Sequence, residues 1–390
     1  MKTQKKRTSK QIFLLILTFC IFLFPIGRID VSAAVSTAPD VNCRSAVLME
    51  ASTGKILYEK NANEALPPAS VTKVMTLILV MEALQNGSIH LSDIVTASAH
   101  ACSMGGSQIY LKEGEQMSVE DLLKSVVIAS ANDAAVALAE YIAGTEEAFV
   151  SHMNEKAKTL GLNHTNFENT NGLDDTSVNH VTSAHDIAVM SRELLQYDEI
   201  ITYSSTWMDT VRNGSFGLTN TNRLVRFYKG ATGLKTGSTA KAGFCITATA
   251  VRDGMTLICV IMGAESRDIR NAAAVSLLDW GFSNFELYVH KGETISAIRV
   301  AAGEQRDMKA SYMDFCSVLP KQQGKQVTVS VQCPTLVFAP VQKGDTLGTV
   351  TYLLNGESIG QQNITADQDV ERLSFWDLMK ELLKMMTFGE

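Results

Sequence analysis

The most restrictive feature of this chain is the order in which its apolar periodicities change. Two short strand-like stretches flank Ser52-Thr53-Gly54 within residues 46–58, a composition that predicts a hairpin. Strand-like runs return at residues 243–251 and 255–262, joined through Arg252-Asp253-Gly254, and the middle of the chain is helical in pattern. Pro67 and Pro68 stop the segment before them, Ser70 is a good N-cap residue, and Val74, Leu77, Ile78, Met81 and Leu84 recur at helical spacing until Gly87. Residues 119–143 are helical in pattern and interrupted around Ser130-Ala131-Asn132; further helices are expected over 146–160 and near 271–280. Strands at both ends of a helical middle predict a mixed domain of the α+β class.

After about Leu287 the pattern changes to short alternating runs such as 326–332 and 347–354, broken by turns of the Lys343-Gly344-Asp345 type, which predicts a separate small β domain over 287–366. A linker and a last helix follow over 367–390. At 100° per residue, Asp377, Lys380, Glu381 and Lys384 fall in one arc of about 100°, and Phe375, Trp376, Leu378, Met379, Leu382, Leu383, Met385 and Met386 cover the rest. That apolar arc is wider than one packing partner usually needs, and Phe375 and Trp376 suit a headgroup boundary. Interfacial membrane binding is therefore the expectation, with packing on the β domain as the alternative.

The N-terminus carries a different signal. Lys2, Lys5, Lys6, Arg7 and Lys10 form a basic head, residues 12–26 are an apolar run, and Val31-Ser32-Ala33 places small residues at the −3 and −1 positions of a cleavage site. An uncleaved anchor is the alternative, but the run is shorter than the ~20 residues that span a bilayer. The expectation is a secretory signal over residues 1–33 and a first domain over 34–286, with the mature protein peripheral on the outer face of the cytoplasmic membrane. Removing the signal takes six basic residues and one acidic one from the 34 and 41 of the whole chain, leaving 28 against 40 and a net charge of −12. An acidic chain is a poor candidate for binding nucleic acid by phosphate neutralisation. Hydrophobic residues at 46% and charged residues at 19% exclude a disordered chain.

Six cysteines remain after Cys20, scattered and without a C-x-x-C pair, and Cys245 and Cys259 sit in apolar strand runs where thiols behave as small hydrophobes. The seven histidines show no metal-ligand spacing, so neither a metal nor another cofactor is expected, and a zinc-dependent peptidase is disfavoured.

Ser70-Val71-Thr72-Lys73 places a hydroxyl and an amine three residues apart at a helix start, on one face. A serine hydroxyl is a poor nucleophile alone. A neighbouring neutral amine can take its proton, and the positive helix end, partial burial and a second cation all favour the neutral form. The spacing also occurs at Ser52 to Lys55, in the expected hairpin turn, and at Ser238 to Lys241, at the head of a strand; only the Ser70 match opens a buried helix. Two further elements supply what such a pair needs. Ser130 and Asn132 put a second hydroxyl and a carboxamide at a helix break, where they can face a cleft. Lys235-Thr236-Gly237 precedes a strand: the lysine can bind a carboxylate, the threonine can donate a hydrogen bond to it, and the glycine lets substrate lie against the strand edge.

This ordered triple is the signature of serine β-lactamases and penicillin-binding proteins. Pro68-Ala69-Ser70-Val71-Thr72-Lys73-Val74-Met75-Thr76, Asn169-Thr170-Asn171-Gly172-Leu173, Gly233-Leu234-Lys235-Thr236-Gly237-Ser238-Thr239 and Ala242-Gly243-Phe244-Cys245 strongly resemble the low-molecular-weight penicillin-binding proteins that act as D-alanyl-D-alanine carboxypeptidases. The resemblance covers about residues 36–285. It implies a transpeptidase-like catalytic domain, an antiparallel sheet with a helical cluster, ahead of the β domain and terminal helix. It also implies acyl transfer on the peptidoglycan stem peptide, with β-lactam antibiotics as covalent inhibitors. Ser70 would attack the carbonyl between two D-alanines, Lys73 would be the base, Ser130 would relay the proton to the leaving amine, and Asn132 would hold the substrate amide. Lys235 and Thr236 would anchor the terminal carboxylate, and the N–H groups of Ser70 and Ser238 would form the oxyanion hole, roughly 3 kcal/mol for each donor lost.

The motifs assign no carboxylate to activate a deacylating water, which argues against an efficient β-lactamase. A β-lactamase or esterase, and a wall-binding protein that has lost catalysis, are the competing readings.

Overall fold

The computed structural model describes residues 35–175 and 177–388. The expected targeting segment, residues 1–33, lies outside the described residues. Five strands, β1 (Ser45–Glu50), β2 (Ile56–Lys60), β3 (Ala231–Thr239), β4 (Gly243–Arg252) and β5 (Met255–Ala264), form an antiparallel sheet in the order β2-β1-β5-β4-β3. The N-terminal hairpin thus joins the C-terminal strands edge to edge, with Leu48 opposite Cys259 and Val47 opposite Val260. Side chains alternate across a strand, so Val47, Met49, Ile258, Val260 and Met262 enter one core while Ala46, Leu48, Leu257, Cys259 and Ile261 enter another on the opposite face. Burial on both faces is why these strands read as unbroken apolar runs.

The first face carries α1 (Lys73–Gln85), α2 (Val119–Ile128), α3 (Asn132–Ala143), α4 (Glu146–Thr159) and α5 (Ala184–Leu194); the second carries α6 (Arg267–Asn284). Helix α1 is buried on almost every side, which requires the apolar composition of Val74, Met75, Leu77, Ile78, Val80 and Met81. Helix α6 is longer than its apolar pattern suggested: Ser266 caps it by accepting from Ile269 N, so it starts in the polar Arg267-Asp268 pair.

Strand β6 (Phe285–His290) pairs with β9 (Phe315–Pro320). The rest of this region is a six-stranded sheet of β7 (Thr294–Ala301), β8 (Asp307–Ser311), β10 (Val327–Gln332), β11 (Leu336–Phe338), β12 (Thr346–Leu354) and β13 (Glu357–Ala366), in the order β10-β12-β13-β8-β7-β11. Its core centres on Val350, Tyr352 and Ile364, with the Tyr352 ring stacked 3.9 Å from that of Phe315. An α+β domain and a C-terminal all-β domain are therefore both present. The last described element is α7 (Phe375–Phe388). Cys245 and Cys259 are fully buried free thiols, as their apolar settings predicted.

Candidate active site

Ser70 is not the N-cap that the sequence suggested. Pro68 opens a 3-10 turn over Ala69–Thr72, and α1 continues from Lys73, so Ser70 lies inside the turn. The spacing still does its work: Lys73 Nζ is 3.0 Å from Ser70 Oγ. Ala69, just before the serine, has φ +49°, a left-handed conformation that costs a residue with a side chain about 1 kcal/mol and persists only when its surroundings impose it. Here they do. Thr72 Oγ1 donates to Ala69 O at 2.8 Å, and Gly172 packs so closely on that carbonyl that a Cβ at this position would collide with it.

Lys73 is wholly buried. Its amine lies 2.5 Å from Asn132 Oδ1 and 2.8 Å from the main-chain oxygen of Asn171, in addition to Ser70. Burial drives the amine well below the usual lysine range, the neighbouring Lys235 adds to the shift, and Asp133 opposes it. Asn132 also donates from Nδ2 to Gly105 O at 2.7 Å, which fixes which end of the carboxamide faces Lys73. The buried Asp133 carboxylate accepts from the N–H groups of Ile109, Leu111 and Ala134, tying the segment that carries Gly105 to α3. Ser130 sits between α2 and α3 at φ +64°, and its buried Oγ has no protein hydrogen-bond partner. Since Ser130 lines the cavity described below, that hydroxyl is free to bond to a substrate there.

Lys235-Thr236-Gly237 lies within β3, not ahead of it as expected, because pairing of Thr239 with Gly243 through Leu234 with Ala248 extends the strand back through the motif. Alternation then puts Lys235 and Gly237 on one side. Lys235 is buried, donates to Thr236 O at 3.1 Å, and is pushed down to about 7 by that burial and by Arg270. Gly237 lines the cavity, and the structure adds a close approach that the sequence did not show. A Cβ there would stand 2.7 Å from Ser70 N and 2.9 Å from Val71 N, so its missing side chain makes room for the serine turn.

Ser70, Ser130, Thr236, Gly237 and Ser238 line one cavity of about 540 Å³. Lys73, Asn132 and Lys235 stand behind it. Arg223, Arg267 and Arg270 also line it, no carboxylate does, and the cleft is therefore cationic on a chain of net charge −7. The sequence reading missed these arginines, since an arginine in a polar stretch reads as solvated surface. It also missed Thr221, whose Oγ1 accepts from Thr236 Oγ1 at 2.8 Å, and the role of the Asn171 carbonyl, a main-chain atom that no side-chain pattern announces. Of the two stray serine–lysine spacings, Ser238 lines the cavity but neither lysine reaches it: Lys55 donates to Val318 O and Lys241 to Asp174 O.

Comparison with known proteins agrees with this geometry. Residues 32–266 match the family described as D-alanyl-D-alanine carboxypeptidase, and residues 282–372 match the C-terminal domain of penicillin-binding protein 5. The chain is 43% identical over 347 residues to D-alanyl-D-alanine carboxypeptidase DacF of Bacillus subtilis, covering 87% of this chain and 89% of that one. The crystal structure of penicillin-binding protein 5 from Haemophilus influenzae superposes with a TM-score of 0.76 at 34% identity, covering 86% of this chain and all of the other. Penicillin-binding protein D2 of Listeria monocytogenes, solved in an ampicillin-bound form, matches 63% of this chain and all of its own at 30% identity, with a TM-score of 0.59. With the family match spanning more than half of its length, the chain belongs to the D-alanyl-D-alanine carboxypeptidase family.

Proposed function

We propose that this protein removes the terminal D-alanine from peptidoglycan pentapeptide stems through an acyl-enzyme on Ser70, and that β-lactam antibiotics acylate the same oxygen. One observation carries the reading. A neutral amine has two N–H groups and one lone pair, and two of the three neighbours of Lys73 Nζ, Asn132 Oδ1 and Asn171 O, can only accept. They take both N–H groups. The lone pair is left for the third neighbour, the Ser70 hydroxyl at 3.0 Å, whose proton it can accept.

Ser70 Oγ attacks the carbonyl carbon between the two D-alanines, and its proton passes to Lys73. The N–H groups of Ser70 and Ser238 stabilise the oxyanion. The Ser130 hydroxyl, free of protein partners, relays the proton to the departing amine. The second N–H of Asn132 remains for a substrate carbonyl, and Lys235, with Thr236, holds the terminal carboxylate. Water then hydrolyses the ester. Among the described residues no hydrogen bond of Lys73 goes to a carboxylate, which supports a long-lived penicillin adduct over rapid β-lactam turnover.

We further propose that residues 1–33 direct export and that α7 holds the mature protein on the outer face of the cytoplasmic membrane. Phe375, Trp376, Leu383 and Met386 are exposed on α7, which supports an interfacial site. No described helix is long and apolar enough to cross a membrane.

The test of the catalytic reading is D-alanine release from a pentapeptide ending in D-Ala-D-Ala, using protein lacking residues 1–33, with Ser70→Ala beside it. Release by the parent and none by the variant is expected. No release by either would overturn it.

A further inference from the structure

The loop that supplies the Asn171 carbonyl to Lys73 and the turn that carries Ser70 are separate in sequence, and one buried side chain joins them. His180 is 5% exposed. Its Nδ1 accepts from the main-chain N–H of Glu168 at 3.0 Å, which requires that nitrogen to be unprotonated. The neutral ring therefore carries its hydrogen on Nε2, which lies 2.7 Å from Thr72 Oγ1. Thr72 Oγ1 accepts there and donates its own hydrogen to Ala69 O, the carbonyl of the left-handed residue before the nucleophile. Every donor in this chain has one acceptor, and the direction is set by a main-chain N–H that cannot reverse.

We infer that His180 is a positioning residue for acylation: the relay Glu168 N–H to His180 to Thr72 to Ala69 O registers the serine turn against the stretch that carries Glu168 and Asn171, and so sets the Ser70–Lys73 geometry. Two of the three partners of Lys73 depend on it. Ser70 rides on the turn whose carbonyl ends the relay, and the Asn171 carbonyl rides on the loop whose start is pinned at Glu168. The stretch is braced internally, with Asn169 Oδ1 accepting from Gly172 N at 2.7 Å and Asn171 Oδ1 from Leu173 N at 2.9 Å. Gly172 of that stretch packs against Ala69 O and Thr72 Oγ1. Burial lowers the imidazole to about 4, in keeping with a ring that stays neutral through the working range. His180 does not line the cavity, and its effect is felt through Thr72.

The inference rests on Ser70 being the acylated residue. The experiment measures acylation by a fluorescent penicillin in rapid-mixing kinetics, separating the binding constant from the first-order acylation rate. Four variants of the protein lacking residues 1–33 are compared: His180→Phe, His180→Gln, Thr72→Val and the double His180→Phe/Thr72→Val. Loss of one hydrogen bond that matters in the transition state is about tenfold in rate. His180→Phe and Thr72→Val should each slow the acylation step about tenfold with the binding constant unchanged. The double variant should be no slower than either single one, since each already breaks the relay. His180→Gln, whose amide can both accept from Glu168 and donate to Thr72, should recover most of the rate, which a bulk-packing role would not reproduce. An acylation rate within twofold of the parent for His180→Phe, or a double variant slowed by the product of the single effects, would overturn the inference while leaving the enzyme's function intact. A parent that takes up no penicillin would refute the functional reading and this inference with it.

Discussion

Gly237→Ala tests whether the glycine of β3 exists for the serine turn or for substrate. The added methyl would stand 2.7 Å from Ser70 N, 2.9 Å from Val71 N and 3.0 Å from the Ala69 Cβ. Ordinary contact lies near 3.5 Å, so strand and turn must part by about 0.8 Å at the closest point. Overpacking of this kind costs about 1–3 kcal/mol, or a Tm lower by about 2–4 °C for each kcal/mol in a domain of this size. Its larger effect should be kinetic. Displacing Ser70 by most of an ångström from Lys73 and from the Ser238 N–H is expected to slow acylation by roughly ten- to a hundredfold. The assay is covalent labelling of Ser70 by penicillin alongside D-alanine release. Gly281→Ala is the control. There the methyl would meet Leu257 and Leu48 side chains at 2.7 and 2.8 Å in the second core, so it should lower the Tm comparably and leave labelling unchanged. If Gly237→Ala labels within twofold of the parent, or no more slowly than Gly281→Ala, the close approach does not position the nucleophile and the reasoning fails.

Lys235, lowered to about 7 by burial and Arg270, should make kcat/KM for a peptide ending in a free carboxylate fall about tenfold per pH unit above that value, because the free enzyme then offers a neutral amine. A flat profile from pH 6 to 9 would contradict this. The same depressed pKa means that the contribution of Lys235 to stability is complete above the ordinary lysine range and is lost as pH falls toward about 7, since the unfolded chain binds the extra proton between those limits; a Lys235→Met variant should lose that slope in denaturant titrations. Alkylation followed by mass spectrometry should label the half-exposed Cys102, Cys316 and Cys333 well before Cys245 and Cys259, whose thiols are raised by burial. Deleting residues 374–390 should release the mature protein from membranes, and because Lys380 lies beside Asp377, salt should release the intact protein only weakly. Retention after the deletion would count against the anchor.

Much of this protein is determined by patterns a few residues long. The apolar runs of β4 and β5, the hairpin around Ser52-Thr53-Gly54, the break at Ser130 and the one-turn spacing of Ser70 and Lys73 are local, and each appears in the structure at or near its expected place. Local chemistry suffices there because a helix turn or a strand pleat is decided by neighbours in sequence. Tertiary structure decided what depends on distant atoms. No short-range pattern shows that the Asn171 carbonyl reaches Lys73 from 98 residues away, that His180 reaches Thr72 from 108 residues away, or that Gly237 faces the backbone of Ser70. Nor does any spacing show that Lys73 and Lys235 share one buried site in which each amine loses its proton more easily than in water. The serine, the lysine and the motif residues are legible as types. Their reactivity comes from burial and from main-chain acceptors, which exist only once the sheet closes against the helical cluster.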